Sequence, residues 1–270
     1  MPEGHVAHRN AGLWNAHLVG RTVTGATSSS PRALAQDIPG RLRGDVLASA
    51  EARGKHHIMR FASGRVLLTH LRMNGVWRLG RGTPRGRPRN LTLALEFGDV
   101  TAALYRCQSV RLLEPGEPLP PGVRRVGPDL LDDAVDPAAT TRDALAATDP
   151  GREVGEAVMD QTLVSGIGNV YKSESLFLAG VDPWRAVGTL TSAEAEDVGR
   201  IAAELLRRGV RDGGAITTFD PPSRPWRRPG GERWVYRRVD EPCRRCGARI
   251  RARGQGDENR TTYWCPSCQK

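Results

Sequence analysis

The residues with the most to offer chemically stand at the start of the chain, Met1-Pro2-Glu3. Removal of Met1 would free the Pro2 nitrogen as a secondary amine. An α-amino group titrates near ~7.7–8, so a useful fraction is uncharged at neutral pH. Such an amine can attack a sugar carbon and form an iminium. Glu3 could protonate the opening sugar ring or shuttle protons afterwards, the work of a carboxyl group in a water-poor site. A Met-Pro start is common and unspecific by itself, so its weight depends on the rest of the chain.

The strongest spacing signal lies at the other end. Cys243-x2-Cys246 is followed, after 18 residues, by Cys265-x2-Cys268. Two Cys-x-x-Cys knuckles bring four thiolates to one tetrahedral ion, the pattern of a zinc ribbon. A pair of disulfides is the competing reading. It fits poorly with a chain that shows no export signal and would leave Cys107 over, a residue better read as small and buried than as a nucleophile. So short a segment has little core, so one structural zinc ion should supply its folding energy. Arg244, Arg245, Arg249, Arg251, Arg253 and Arg260 crowd this segment and suit backbone phosphate or a minor groove; a solvated basic face is the alternative. Between two expected helices, Gln161 to Tyr171 carries Gly166 and Gly168, which permit a tight turn and close backbone approach. Asn169 then opens a helix whose free amides attract phosphate. An ordinary corner between helices would look the same.

These groups need elements to position them. Residues 4–19 read as a helix, with Val6, Leu13, Trp14, His17 and Leu18 roughly on one face and Gly20 just after its end. From Arg21 to about Leu113 the pattern changes to short strands: 21–26, 46–52, 56–62, 66–71, 91–97 and 100–104. Leu91, Leu93, Leu95 and Phe97 alternate with smaller or polar residues, while Ser63-Gly64 and Gly98-Asp99 supply hairpin turns. A Gly/Pro/Arg-rich insert, Gly80 to Arg89, reads as a mobile loop. Asn169 to Ala179 reads as helix stopped by Gly180 and Pro183, and Thr191-x-x-Glu194 as a capping box for a helix running to Gly209. The fold class expected is α+β. An antiparallel β-sandwich domain spans 1–132, an acidic Ala/Pro-rich linker 133–150, a helical domain 151–239 and a zinc finger 240–270. A chain of 270 residues with 39% hydrophobic content can bury cores of this number.

The formal charge of +10 calls for a polyanionic partner. No apolar run approaches the roughly 18 residues of a spanning helix, and no secretory signal opens the chain. A cytoplasmic, nucleoid-associated monomer with no membrane partner is the expectation. Lys55, Lys172 and Lys270 are the only lysines among 40 basic residues, which counts against Lys55 as random surface charge, a solvent-facing hairpin lysine being the other reading.

Pro2-Glu3-Gly4, Arg53-Gly54-Lys55-His56, Gln161 to Tyr171, and Arg260-Thr-Thr-Tyr-Trp-Cys265-Pro-x-Cys268-Gln269 occur in that order across essentially the whole chain. The combination resembles the formamidopyrimidine-DNA glycosylase and endonuclease VIII family. The resemblance implies a β-sandwich lobe, and a second lobe holding a helix-two-turns-helix motif and a zinc finger, with damaged double-stranded DNA as partner. It assigns Pro2 as nucleophile, Glu3 as general acid/base, Lys55 as the hairpin lysine near the lesion, and Glu174 as a second acidic residue of the active site. Gly168, Asn169 and Arg260 match the phosphate-gripping region. Met73, in Arg72-Met73-Asn74, matches the wedge that fills the gap left by a flipped base, a core methionine being the other reading. Ala103-Leu104-Tyr105 and Val126 to Leu131 look more like the endonuclease VIII branch, which acts on oxidised pyrimidines, than the branch for oxidised purines. Many members carry a glutamate three residues after Glu3; here that position is Val6. The implied activity is a bifunctional glycosylase/AP lyase of base excision repair. The rivals are a catalytically inactive DNA- or lesion-binding paralogue and a zinc-ribbon transcription or translation factor, which leaves the N-terminal motif idle.

Overall fold

The computed structural model of the protein describes residues 2–82, 88–215, 217–218 and 233–270. The chain divides into two compact units, the first ending at Arg124 and the second running Arg125–Lys270.

The first unit opens with helix α1 (Gly4–His17), which Gly20, in the left-handed region at φ 81°, brings to a turn. After β1 (Gly25–Thr27) come two short helices, α2 (Pro31–Ala35) and α3 (Ile38–Leu42), each with proline in its first turn, where the missing N–H costs nothing. The strands β2 (Leu47–Arg53), β3 (His56–Phe61), β4 (Val66–His70), β5 (Val76–Arg81), β6 (Leu91–Phe97), β7 (Val100–Tyr105) and β8 (Ser109–Leu113) follow, then α4 (Pro121–Arg124). They form two four-stranded sheets, ordered β1-β6-β7-β5 and β2-β3-β4-β8, with every pairing antiparallel. Leu47, Met59, Phe61 and Leu67 of one sheet meet Leu93, Leu95, Phe97 and Leu104 of the other in one core that also takes in Trp14 and Leu18. Alternation along β6 produces this: Leu93, Leu95 and Phe97 enter that core, while Ala94 joins Ala103 and Tyr105 on the far face. Of the insert Gly80–Arg89, the first two residues complete β5, Pro88–Asn90 form a 3-10 turn, and 83–87 lie outside the described residues.

In the second unit the stretch expected as linker carries a helix, α5 (Pro137–Ala146). Asp136 caps it through the amides of Ala138 and Ala139, and it packs on the long helix α8 (Ser192–Asp212). An Asp-Pro pair before an alanine-rich run is a helix start, and the acidic composition hid it. Gly199 makes the crossing close, since a Cβ there would collide with Thr141 and the Pro137 carbonyl. α6 (Val154–Ala157) and α7 (Asn169–Ala179) flank two turns, and α7 ends at Gly180, φ 76°. The capping box on α8 is present: Glu194 N–H donates to Thr191 Oγ1 at 3.2 Å and Thr191 N–H to Glu194 Oε2 at 2.8 Å. The chain closes with the hairpin β9 (Arg251–Gln255) and β10 (Arg260–Trp264). Among the described residues no helix is long and apolar enough to cross a membrane.

Candidate active site and nucleic-acid interface

Pro2 is half-buried at the start of α1, and Glu3, the residue before its first turn, is 2% exposed. α1 is docked across the hairpin of β2 and β3. The Asn15 amide donates to the Ala50 carbonyl at 2.7 Å and accepts from the Ala50 N–H at 3.1 Å, while the Asn10 amide lies 3.0 Å from His57 Nε2. Gly54-Lys55 is the two-residue turn of that hairpin, between the paired residues Arg53 and His56, and Gly54 takes the left-handed φ of 57° that such a turn needs. Val6 packs partly buried against the sandwich core, so this position contributes packing.

Beside Lys55 lies a histidine group that only the strand pairing brings together. His56 and His70 face one another across β3 and β4 with rings 4.8 Å apart. Burial, reinforced by Arg72, Arg53 and Lys55, lowers His56 to about 4. Burial lowers His70 to about 3, helped by His56, Arg72 and Lys55. His57, fully enclosed against Trp14, is lowered to about 3, chiefly by burial. All three are neutral at pH 7. The alternation that places them on opposite faces was visible in the sequence; the strand pairing was not.

Met73 sits on the turn between β4 and β5 and is 52% exposed, which removes it from the core. Arg72 before it holds a left-handed φ of 53°, a conformation that costs a non-glycine residue free energy and marks functional turns. Cys107 is buried, and burial pushes its thiol up, as expected of an inert residue.

The second unit brings Gly168, Asn169 and Arg260 together. The Gln161 amide donates to the carbonyls of Met159 (2.7 Å) and Ile167 (2.9 Å), and its Oε1 accepts from Gly166 N–H, so one side chain ties the second turn. Gly166 needs its φ of 102°, and Gly127 lies so close to the Thr162 carbonyl that a Cβ would not fit. Gly168 then precedes α7 in an extended conformation and gives it no side-chain cap. The Asn169 amide donates to the Thr261 carbonyl at 2.8 Å, which places it beside Arg260 on β10, while its buried Oδ1 has no partner. Lys172 Nζ donates to Thr262 Oγ1 at 2.6 Å, seating the hairpin on the helix.

Glu174 does not lie with these groups. It is fully buried and accepts from Thr217 Oγ1, from Trp234 N–H (2.8 Å), Val235 N–H (2.9 Å) and Tyr236 N–H (2.8 Å). Four donors consume both carboxylate oxygens, and they come from either side of residues 219–232. This is the role of a clamp.

Cys243, Cys246, Cys265 and Cys268 bring their sulfurs within 4.8 Å of one another. The separations of 3.9 Å (Cys243–Cys268) and 3.5 Å (Cys246–Cys265) are far beyond a disulfide bond. They sit near the ~3.8 Å edge of a tetrahedron with zinc–sulfur bonds of about 2.3 Å. The four thiols could hold a metal ion.

An antiparallel sandwich, two helices joined by two turns, and a four-thiol hairpin seated on the second helix define a modular class with both ends of the chain chemically equipped. Residues 1–110 match the formamidopyrimidine-DNA glycosylase N-terminal domain and residues 126–220 the H2TH domain of the same proteins. The whole chain is 38% identical to a probable endonuclease 8 2 of Streptomyces coelicolor, covering 94% of it, and 35% identical to the DNA-(apurinic or apyrimidinic site) lyase Nei2 of Mycolicibacterium smegmatis, covering 99%. A solved structure of Lactococcus lactis formamidopyrimidine-DNA glycosylase, non-covalently bound to DNA containing an AP site, aligns over 99% of both chains with a TM-score of 0.80 at 25% identity. The chain belongs to the formamidopyrimidine-DNA glycosylase and endonuclease VIII family, on its endonuclease VIII-like branch.

Proposed function

We propose that the protein is a bifunctional DNA glycosylase/AP lyase of base excision repair, acting in the cytoplasm on duplex DNA and removing oxidised pyrimidines in preference to oxidised purines. The observation that carries this reading is the half-buried Pro2 with the buried Glu3 just ahead of a helix docked across the Lys55 hairpin. Binding begins at phosphates through Arg260, the Gly168-Asn169 turn and Lys55, and weakens steeply with salt. Met73 enters the stack as the damaged nucleotide leaves it.

The neutral Pro2 nitrogen bonds to C1′ as the glycosidic bond breaks, its electron pair leaving with the base, which takes up the proton lost from the Pro2 nitrogen. Glu3 then delivers a proton to O4′ as the C1′–O4′ bond breaks, opening the ring and leaving a C1′ iminium. The iminium so formed acidifies the C2′ proton. Loss of that proton expels the 3′ phosphate and cuts the strand. Lys55, on a fixed two-residue turn, serves the phosphate next to the lesion. Glu174 acts as a positioning residue through the segments it clamps. One zinc ion held by Cys243, Cys246, Cys265 and Cys268 supplies folding energy to the ribbon and takes no part in the chemistry.

Support for the pyrimidine preference is the branch to which the chain belongs. Excision assays on duplexes carrying dihydrouracil or 8-oxoguanine test it. Faster release of dihydrouracil is expected, and faster release of 8-oxoguanine would reverse the assignment.

A further inference from the structure

Arg260, the phosphate-gripping arginine of the function proposed above, already holds an anion. Its Nε donates to Glu258 Oε2 at 2.8 Å, and Nη2 lies 2.8 Å from the same oxygen. This is the edge of the guanidinium that takes an oxyanion in two parallel bonds. The pairing is built into the turn between β9 and β10. Asn259 holds a left-handed φ of 48°, and its side-chain oxygen fills the space where Gly254 would carry a Cβ. Gly256, beside the Glu156 carboxylate, takes a left-handed φ of 69° that a side chain would strain. The ribbon is otherwise crowded with Arg244, Arg249, Arg251 and Arg253 in a chain of net charge +10, yet its tip carries Asp257 and Glu258.

We propose that Glu258 is a resident counter-ion of Arg260 which a DNA phosphate must displace, so that it acts as a positioning residue and restrains affinity for every duplex the protein samples. It holds the Arg260 guanidinium at the ribbon tip and shortens the residence on undamaged DNA. This rests on the DNA reading of Arg260. Glu258 is 73% exposed, and exposed pairs are weak, so the restraint amounts to about two- to fivefold in affinity.

The test is fluorescence anisotropy of the full-length, zinc-containing protein on an undamaged duplex and on one with an abasic-site analogue, with zinc content checked for each variant. Glu258→Gln should bind both duplexes about two- to fivefold more tightly and lower KM without changing the single-turnover excision rate. Asp257→Asn removes the same charge one residue earlier and should gain less. In an Arg260→Ala background, Glu258→Gln should gain no more than Asp257→Asn does. Equal gains from the two substitutions with Arg260 present, or a Glu258→Gln gain that survives the loss of Arg260, would overturn the inference and leave the DNA reading intact. Wild-type affinity in Arg260→Ala alone would remove Arg260 from the DNA interface, and the inference with it.

Discussion

Glu174→Gln isolates the clamp from the chemistry. In the wild type both carboxylate oxygens face only donors: Thr217 Oγ1 and Trp234 N–H at Oε2, Val235 and Tyr236 N–H at Oε1. A glutamine amide can keep its oxygen toward Val235 and Tyr236 and let the Thr217 hydroxyl rotate to accept. The Trp234 N–H then confronts an NH2 group and is left unsatisfied. Bonds to a charged acceptor are worth about 1.5–3 kcal/mol against about 1 for neutral ones, so the change costs on the order of 3–5 kcal/mol locally. Hydrogen exchange read by mass spectrometry should show the amides of residues 234–236 exchanging at least about a hundredfold faster. Base excision should fall with them, while Arg260-dependent affinity for DNA stays within about threefold of wild type. Thr217→Val, which removes one donor and leaves the carboxylate, should cost about 1–3 kcal/mol and serves if the glutamine variant does not fold. Unchanged protection at 234–236 in Glu174→Gln would refute the clamp, and excision lost without any change in exchange would return Glu174 to the reacting atoms.

Three further outcomes follow from the site. Cys265→Ser should lose bound zinc and DNA affinity together; a variant with full metal content would defeat the four-thiolate assignment. Met73→Ala should leave stability within about 0.5 kcal/mol, as for other exposed positions, yet slow excision, and a marked fall in Tm would make Met73 a packing residue. His57 is depressed to about 3 from an ordinary 6.5, so between those values the unfolded chain binds a proton that the native state refuses. The stability His57 confers is therefore complete above about pH 6.5 and is lost as pH falls toward 3, on the order of 5 kcal/mol over the interval at about 1.4 kcal/mol per unit. Urea midpoints at pH 7 and 4.5 should differ less in His57→Leu than in wild type. The same difference in both would show that His57 does not govern acid stability.

Elements defined by local rules were legible from residue order. α1, the β6–β7 hairpin, the stop of α7 at Gly180 and the capping box of α8 each rest on residues within a few positions of one another. β5 is not legible in the sequence because Arg78 and Arg81 break its apolar alternation, nor α5 because an Asp-Pro cap and an alanine run share a linker's composition. The four cysteines were readable because metal spacing is local within each knuckle. What Glu174 does was not, since its donors stand 43 to 62 residues further along and three of them are backbone amides that carry no residue type. The histidine pair shows the same limit: His56 and His70 become neighbours only through the register of β3 on β4.

The central claim is that the Pro2 nitrogen forms the covalent intermediate. Borohydride trapping on duplexes carrying dihydrouracil, 8-oxoguanine or an abasic site, with the N-terminus verified by mass, addresses it directly. The account predicts a covalent protein–DNA adduct that disappears in Pro2→Gly. An adduct that persists in that variant, or none from a chain beginning at Pro2 that still binds DNA, would contradict it.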